Sequence, residues 1–246
     1  MRYVGGKERI AGWVAAKILH LARDYEIRRY AEPFVGSGAV FRRVAPKFKE
    51  TLAADGHPDL ILMWQALVAG WVPPDTVSKE EYDELREDDP SALRGFAGFG
   101  ASFGGKWFVG HVDWKYGAHW NKDTNKRSVL MTANAFKNAE IVHTDYLSLS
   151  FGAGDLVYCD PPYEGTEQYK GVSFRYSPFE FWWKADQWVK NGAIVIVSEE
   201  KAPSDWPIIG IKVRKAALQF TRKTSQPLRI ECIFHKPPNQ ETTHHE

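Results

Sequence analysis

Cysteine is scarce. There are two in 246 residues, Cys159 and Cys232, both inside apolar, strand-like runs. That speaks against a disulfide framework and for buried free thiols in a reducing compartment. No apolar run approaches the length of a membrane span. The opening residues, MRYVGGKERIAGW, hold no signal-peptide core. A cytoplasmic protein with no membrane partner is therefore expected. Histidine and cysteine form no motif with metal-ligand spacing, and the polar tail NQETTHHE is a poor candidate, so no metal is expected. Neither charge sign dominates, since the net charge is +1. What is plentiful is aromatic surface, 14% of residues with 10 Trp, in an otherwise ordinary folded composition.

The charge is unevenly spread. Residues 1–50 carry 11 basic and 5 acidic groups, and residues 51–100 carry 3 and 10. Much of the acidic excess sits in KEEYDELREDD, which reads as a solvated helix face and leaves the remainder able to assemble a basic surface.

Periodicity gives the organisation. ERIAGWVAAKILHLAR has Ile10, Val14, Ile18 and Leu21 at helical spacing. RRYAEPF reads as a strand and GAVFRRVAP as a helix ended by Pro46. ETLAAD is a second strand, and PDLILMWQALVAGW a helix with Pro58 at its start. Strand and helix alternate as in a parallel α/β sheet. From about Val72 to Asn138 the rhythm breaks. It resumes with EIVH, DLVYCD, PFEFWWKADQWVKNG and AIVIVSEE. IIGIKVRKAALQF and LRIECIFHK then read as an antiparallel pair at the sheet edge. The expected fold is α/β, with residues 1–71 and 139–238 forming one domain, 72–138 an inserted subdomain and 239–246 a frayed tail.

Three stretches suggest chemistry. In EPFVGSGAV, Gly36 and Gly38 lie between a strand and a helix, either as a plain tight turn or as a loop that lets a ligand approach the backbone. Asp55 ends the next strand, where a carboxylate either serves the following helix or accepts hydrogen bonds from a ribose diol. In VYCDPPYEG, Asp160 follows an apolar strand, Pro161 and Pro162 stiffen the turn, and Tyr163 offers a flat ring. A structural turn accounts for the prolines but not for the flanking Asp and Tyr. Asp160 and the Pro161 carbonyl would accept the two N–H bonds of an exocyclic base amine, releasing its lone pair for methyl transfer. Tyr163 would stack on an extruded base.

Read in order, YVGGK, EPFVGSGAV, AADGHPDLI and VYCDPPY resemble the Dam-type (D12 class, alpha-group) DNA adenine methyltransferases that use S-adenosylmethionine. The resemblance covers both ends of the chain and skips the middle. It implies a Rossmann-like class I methyltransferase sheet with an inserted, mainly helical target-recognition subdomain. It also implies that Tyr3 and Lys7 contact the cofactor, and that Pro33, Phe34, Gly36, Ser37 and Gly38 line its methionine end. By the same resemblance, Asp55 binds the ribose and Asp145 faces the adenine. Asp160, Pro161, Pro162 and Tyr163 form the target-base site. LRIECIFHK resembles the family's closing Arg-x-Glu strand, through Arg229 and Glu231. The middle departs from relatives that methylate GATC. There Lys106, Lys115, Lys122, Lys126 and Arg127 are candidate phosphate contacts, joined by Arg222 and Lys223. Trp107, Trp114 and Trp120 are candidates for stacking on DNA or for core packing.

The expectation is a DNA adenine methyltransferase acting on double-stranded DNA, in a bacterial cytoplasm or, if phage-encoded, that of the host. No nuclease motif accompanies it, so a restriction partner would be a separate protein. Methylation of the cytosine amine, an RNA substrate, and a non-catalytic cofactor- and DNA-binding regulator remain open alternatives.

Overall fold

A computed structural model describes Met1, Tyr3 and residues 5–112, 122–163, 175–215 and 228–238. Helix α1 (Ala11–Leu21) buries Val14 and Ile18, as its spacing requires, and leads to strand β1 (Arg29–Glu32). One helical turn, α2 (Phe41–Val44), closes in a 3-10 turn that contains Pro46. The expected longer helix does not form there. Strand β2 (Glu50–Asp55) and helix α3 (Pro58–Val68) follow, with Pro58 in the first turn as its fixed φ favours. Next come α4 (Lys79–Glu87), α5 (Ala92–Gly100) and α6 (Lys122–Ala133). Then come β3 (Ala139–His143), β4 (Asp155–Cys159), α7 (Pro178–Lys190) and β5 (Ile194–Glu199). Strands β6 (Ile208–Lys215) and β7 (Leu228–Lys236) end the described chain.

The seven strands form one sheet in the order β3-β2-β1-β4-β5-β7-β6. β1 through β5 pair in parallel, and β7 runs antiparallel to both β5 and β6. The order is Rossmann-like, and the expected antiparallel pair at the edge is present. Every residue of β4 and β5 is buried, because helices cover both faces. Alternation divides the core. Tyr30, Tyr158 and Ile196 point to the α1–α3 side, and Val157, Cys159, Val195 and Val197 to the α7 side. Cys159 and Cys232 are both buried and free, as expected. Among the described residues no helix is long and apolar enough to cross a membrane.

The order of connections creates a switch point. From β1 the chain moves outward through β2 to β3, then returns to place β4 on the other side of β1. Loops at the carboxyl ends of β1 and β4 therefore diverge and leave a crevice, where ligands bind in open α/β sheets.

The middle stretch builds on the same core. Tyr82 of α4, Phe96 and Phe99 of α5 and Phe136 share one buried cluster with α1, α2 and α3. Phe136 stacks on Trp64 of α3 at 4.7 Å between ring centres. Asp59 of α3 is fully buried. It accepts Arg94 Nη1–H at 2.8 Å and the Ser91 N–H at 2.9 Å, which fixes the start of α5. The two helices touch at Gly95, where an added Cβ would lie 2.3 Å from the Asp59 carbonyl oxygen. Gly95→Ala is therefore expected to lower the unfolding free energy by about 1–3 kcal/mol in chemical denaturation. Wild-type stability would show that α5 does not pack this closely.

Candidate active site

The N-terminal segment reaches across the sheet to the end of β4. Lys7 is buried, and its Nζ donates to Asp160 Oδ1 at 2.5 Å and to the Tyr163 hydroxyl at 2.7 Å. Glu231 of β7 lies 3.3 Å from the same ammonium and accepts the Tyr163 O–H at 2.5 Å. Four residues from three distant parts of the chain thus make one hydrogen-bonded group around a single cation. The two prolines set Asp160 and Tyr163 at opposite ends of a rigid turn, so both can reach Lys7.

Charge is rationed here. Burial, reinforced by Asp160 and Glu231, holds the Tyr163 phenol far above its ordinary pKa, so the hydroxyl stays protonated. Glu32, at the end of β1, is buried with the Tyr30 O–H on its Oε1 at 2.6 Å. Burial drives its pKa well up, with Asp160 adding to the effect. At the end of β5, burial raises Glu199 to about 7.

The glycine turn lies beside this group and is pinned to β2. Gly36 and Gly38 both adopt positive φ, 49° and 67°. Asp55 Oδ2 accepts the Gly36 N–H at 2.9 Å and its Oδ1 accepts the His57 N–H at 3.0 Å. The Gly36 carbonyl accepts the Trp64 indole N–H at 3.0 Å, and the Val35 N–H reaches the Ala54 carbonyl at 2.9 Å. An alanine at Gly38 would press its Cβ to 2.8 Å from the Phe136 ring. The helix that follows is a single turn, so glycine geometry rather than a helix N-terminus shapes this loop. Burial raises the Asp55 carboxyl to about 6 despite its two backbone donors.

Asp145 stands just past β3 and accepts the Leu147 N–H at 3.0 Å. The Thr144 N–H donates to the Asp55 carbonyl at 3.2 Å, which joins the ends of β3 and β2. Phe34 packs on Tyr146 and Phe181 at 5.1 and 5.7 Å. Tyr3 packs on Phe99, and its ring would meet a Cβ at Gly36 at 3.1 Å. Pro33 is buried and Ser37 half-buried in the same turn. The fold therefore assembles Tyr3, Lys7, the 33–38 turn, Asp55, Asp145 and Asp160 along adjacent strand ends.

Lys106 and Arg127 are exposed. Lys126 pairs with Asp75 at 2.6 Å. Trp107 is a correction. Its indole is 8% exposed and packs on His57 and Phe99 at 4.2 and 4.7 Å, so it is a core residue with no face for a base. Trp114, Lys115, Trp120, Arg222, Lys223 and the side chains of Lys122 and Arg229 lie outside the described residues. Sequence reasoning passed over Glu32 and Glu199, because an acid ending a strand has no distinguishing spacing. It met Glu231 only within a strand motif. The apolar run Cys232 to Phe234 beside Glu231 in the same strand was the available signal.

Part of the chain is similar to known proteins. Residues 3–92 match the family model of the D12 class N6 adenine-specific DNA methyltransferases. The match contains Tyr3, Lys7, the glycine turn and Asp55. Asp160, Tyr163 and Glu231 lie beyond it and are joined to it through Lys7. No curated protein matches the chain in sequence. Solved structures similar to it include the rRNA methyltransferase AviRa from Streptomyces viridochromogenes, 13% identical, TM-score 0.38, covering 90% of this chain and 83% of that one. The N-methyltransferase NodS from Bradyrhizobium japonicum is 9% identical, TM-score 0.41, with 93% and 97% covered. Magnesium protoporphyrin IX methyltransferase ChlM from Synechocystis PCC 6803, solved with bound SAM, is 11% identical, TM-score 0.38, with 94% and 79% covered.

Removing the cation isolates buried acids. Lys7→Met is expected to cost about 3–5 kcal/mol of unfolding free energy, because Asp160 and Glu231 lose their counter-charge. Glu231→Gln is expected to cost less, and the double variant less than the sum of the two. Additive losses in a denaturation double-mutant cycle would show that Lys7 and Glu231 are not coupled.

Proposed function

We propose that the protein is a DNA adenine methyltransferase that transfers a methyl group from S-adenosylmethionine to the exocyclic amine of a flipped adenine. The observation that carries this reading is the buried Lys7–Asp160–Tyr163–Glu231 group at the end of β4, joined to the stretch that matches the adenine-specific family.

The crevice suits the cofactor chemically. Asp55, held by two backbone N–H groups, offers a carboxylate to a ribose diol. Asp145 is placed to accept from the adenine amine, and Tyr3, Pro33, Phe34 and the Gly36–Gly38 turn would line the methionine end. One ammonium facing Asp160 and Glu231 leaves a net negative site, which favours a cationic sulfonium. Bound there, S-adenosylmethionine supplies an electrophilic methyl group.

The protein's own groups prepare the nucleophile. Asp160 and the Pro161 carbonyl accept the two N–H bonds of the amine, pulling its lone pair out of conjugation with the ring. As positive charge grows on that nitrogen, the Asp160 carboxylate stabilises it and receives the departing proton. Lys7 holds Asp160 in place, and Glu231 and Lys7 together orient Tyr163, whose ring face stacks on the base. Because these groups are already fixed, little reorganisation opposes the reaction. Flipping the base costs a few kcal/mol, offset by stacking and edge hydrogen bonds. The α4–α6 region is the proposed target-recognition part, with Lys106, Lys126 and Arg127 as phosphate contacts and Lys115, Lys122, Arg222 and Lys223 as further candidates.

Incubation with unmethylated DNA and cofactor, digestion to nucleosides and mass spectrometry tests this directly. N6-methyldeoxyadenosine is expected, with at least about a thousandfold less from Asp160→Ala. Methyldeoxycytidine would reassign the base, and product on RNA alone would reassign the nucleic acid. Undiminished product from Asp160→Ala would overturn the mechanism.

A further inference from the structure

One acid at the crevice has no part in the chemistry above. Glu199 is the last residue of β5, one strand over from Asp160, since Cys159 of β4 pairs with Val197. Its Oε1 accepts the Glu200 N–H at 2.8 Å. It opens into a recess of about 90 Å3 lined also by Tyr176, Pro178, Trp182, Glu200 and Lys201. That is roughly three waters' share of liquid volume, room for the leading edge of a flat ring. The walls are rigid. Trp182 packs on Phe181, Trp206 and Phe234 at 5.1–6.3 Å. Tyr176 packs on Phe34 at 6.4 Å, so the recess adjoins the glycine turn.

We infer that this recess takes the Watson–Crick edge of the target base, with Glu199 as a carboxylic acid donating a hydrogen bond to the ring nitrogen beside the amine held by Asp160. The inference rests on the methyltransferase reading and sharpens its substrate class. An acceptor at Asp160 next to a donor at Glu199 complements an amine next to an unprotonated ring nitrogen. Adenine and cytosine present that pair. Guanine and thymine present an oxo group and a ring N–H, and so oppose both partners. The aromatic walls supply apolar faces for the ring. The protonation state follows from the surroundings. The groups acting on Glu199 are Asp160 from β4, Lys7 from the N-terminal segment and Glu200 from its own chain, with Lys201 on the recess wall. Burial is the largest influence; the Glu200 N–H opposes it, the Asp160 and Glu200 carboxylates add to it, and Lys7 works against it. The acid form is therefore present up to about pH 7 and is lost above it.

The test compares duplexes carrying the methylated site with adenine or with 1-deazaadenine, which keeps the amine and lacks the ring nitrogen. Wild type is expected to prefer adenine in kcat/KM by at least about tenfold. Glu199→Ala is expected to bring that ratio near one by losing activity on adenine. Glu199→Gln, a donor at every pH, is expected to keep the preference and to lack the rise in KM for DNA expected of wild type above about pH 7. An unchanged ratio in Glu199→Ala, with product forming, would overturn the role of Glu199 and leave the methyltransferase reading intact. A wild type that methylates no DNA would overturn both.

Discussion

The Lys7 ammonium is the constraint on which the rest of the site depends. It is buried against two carboxylates, Asp160 at 2.5 Å and Glu231 at 3.3 Å, with the Tyr163 hydroxyl between them. Desolvating such charges costs several kcal/mol per ion, and only mutual pairing and further hydrogen bonds offset that cost. The arrangement is therefore a poor device for stability and a good one for placement. A sequence-remote lysine fixes the carboxylate at the end of β4, and that ties the N-terminal segment, the Asp160–Tyr163 turn and β7 into one geometry. The surrounding acids adjust to the single cation. Tyr163 stays protonated, burial drives the Glu32 carboxyl well above its ordinary range, and Glu199 is poised near neutrality.

The same geometry separates two kinds of work along the carboxyl edge of the sheet. Asp55 at the end of β2 and Asp145 just past β3 stand on one side of the switch point, together with the backbone turn at Gly36. Asp160 and Glu199 terminate β4 and β5 on the other side, next to aromatic walls on α7. The methyl donor and the acceptor base would then approach from opposite sides of Asp160. That topology needs no metal and no covalent intermediate to bring donor and acceptor together.

Much of this was legible in the chain. The β4 and β5 strands announce themselves as unbroken apolar runs because both faces are covered, and Pro58 marks a helix start by local chemistry. The glycine turn, Asp55 and Asp160 stand out because strand ends followed by Gly, Asp or Pro are unusual in the same order. Other features depend on tertiary contact and leave no local trace. GAVFRRVAP has helical content but forms only one turn of α-helix, since Gly38 is held at positive φ against Phe136 and Pro46 closes the segment. From the sequence Trp107 could stack on DNA or pack in the core, and the glycine-rich face of α5 admits its ring to the core. An added Cβ at Gly98 would lie 2.3 Å from it. Glu231 became meaningful only once β7 was laid beside β5 and the N-terminal lysine reached across to it.

The central claim is that adjacent strand ends form one cofactor crevice, and calorimetric titration with S-adenosylhomocysteine tests it most directly. The account requires one site per chain, with affinity at least about tenfold weaker in Asp55→Ala, which loses the diol's acceptor. Binding should be unchanged in Lys106→Ala, a change on the exposed surface of the helical region. Equal affinity in wild type and Asp55→Ala, or no binding in either, would contradict it.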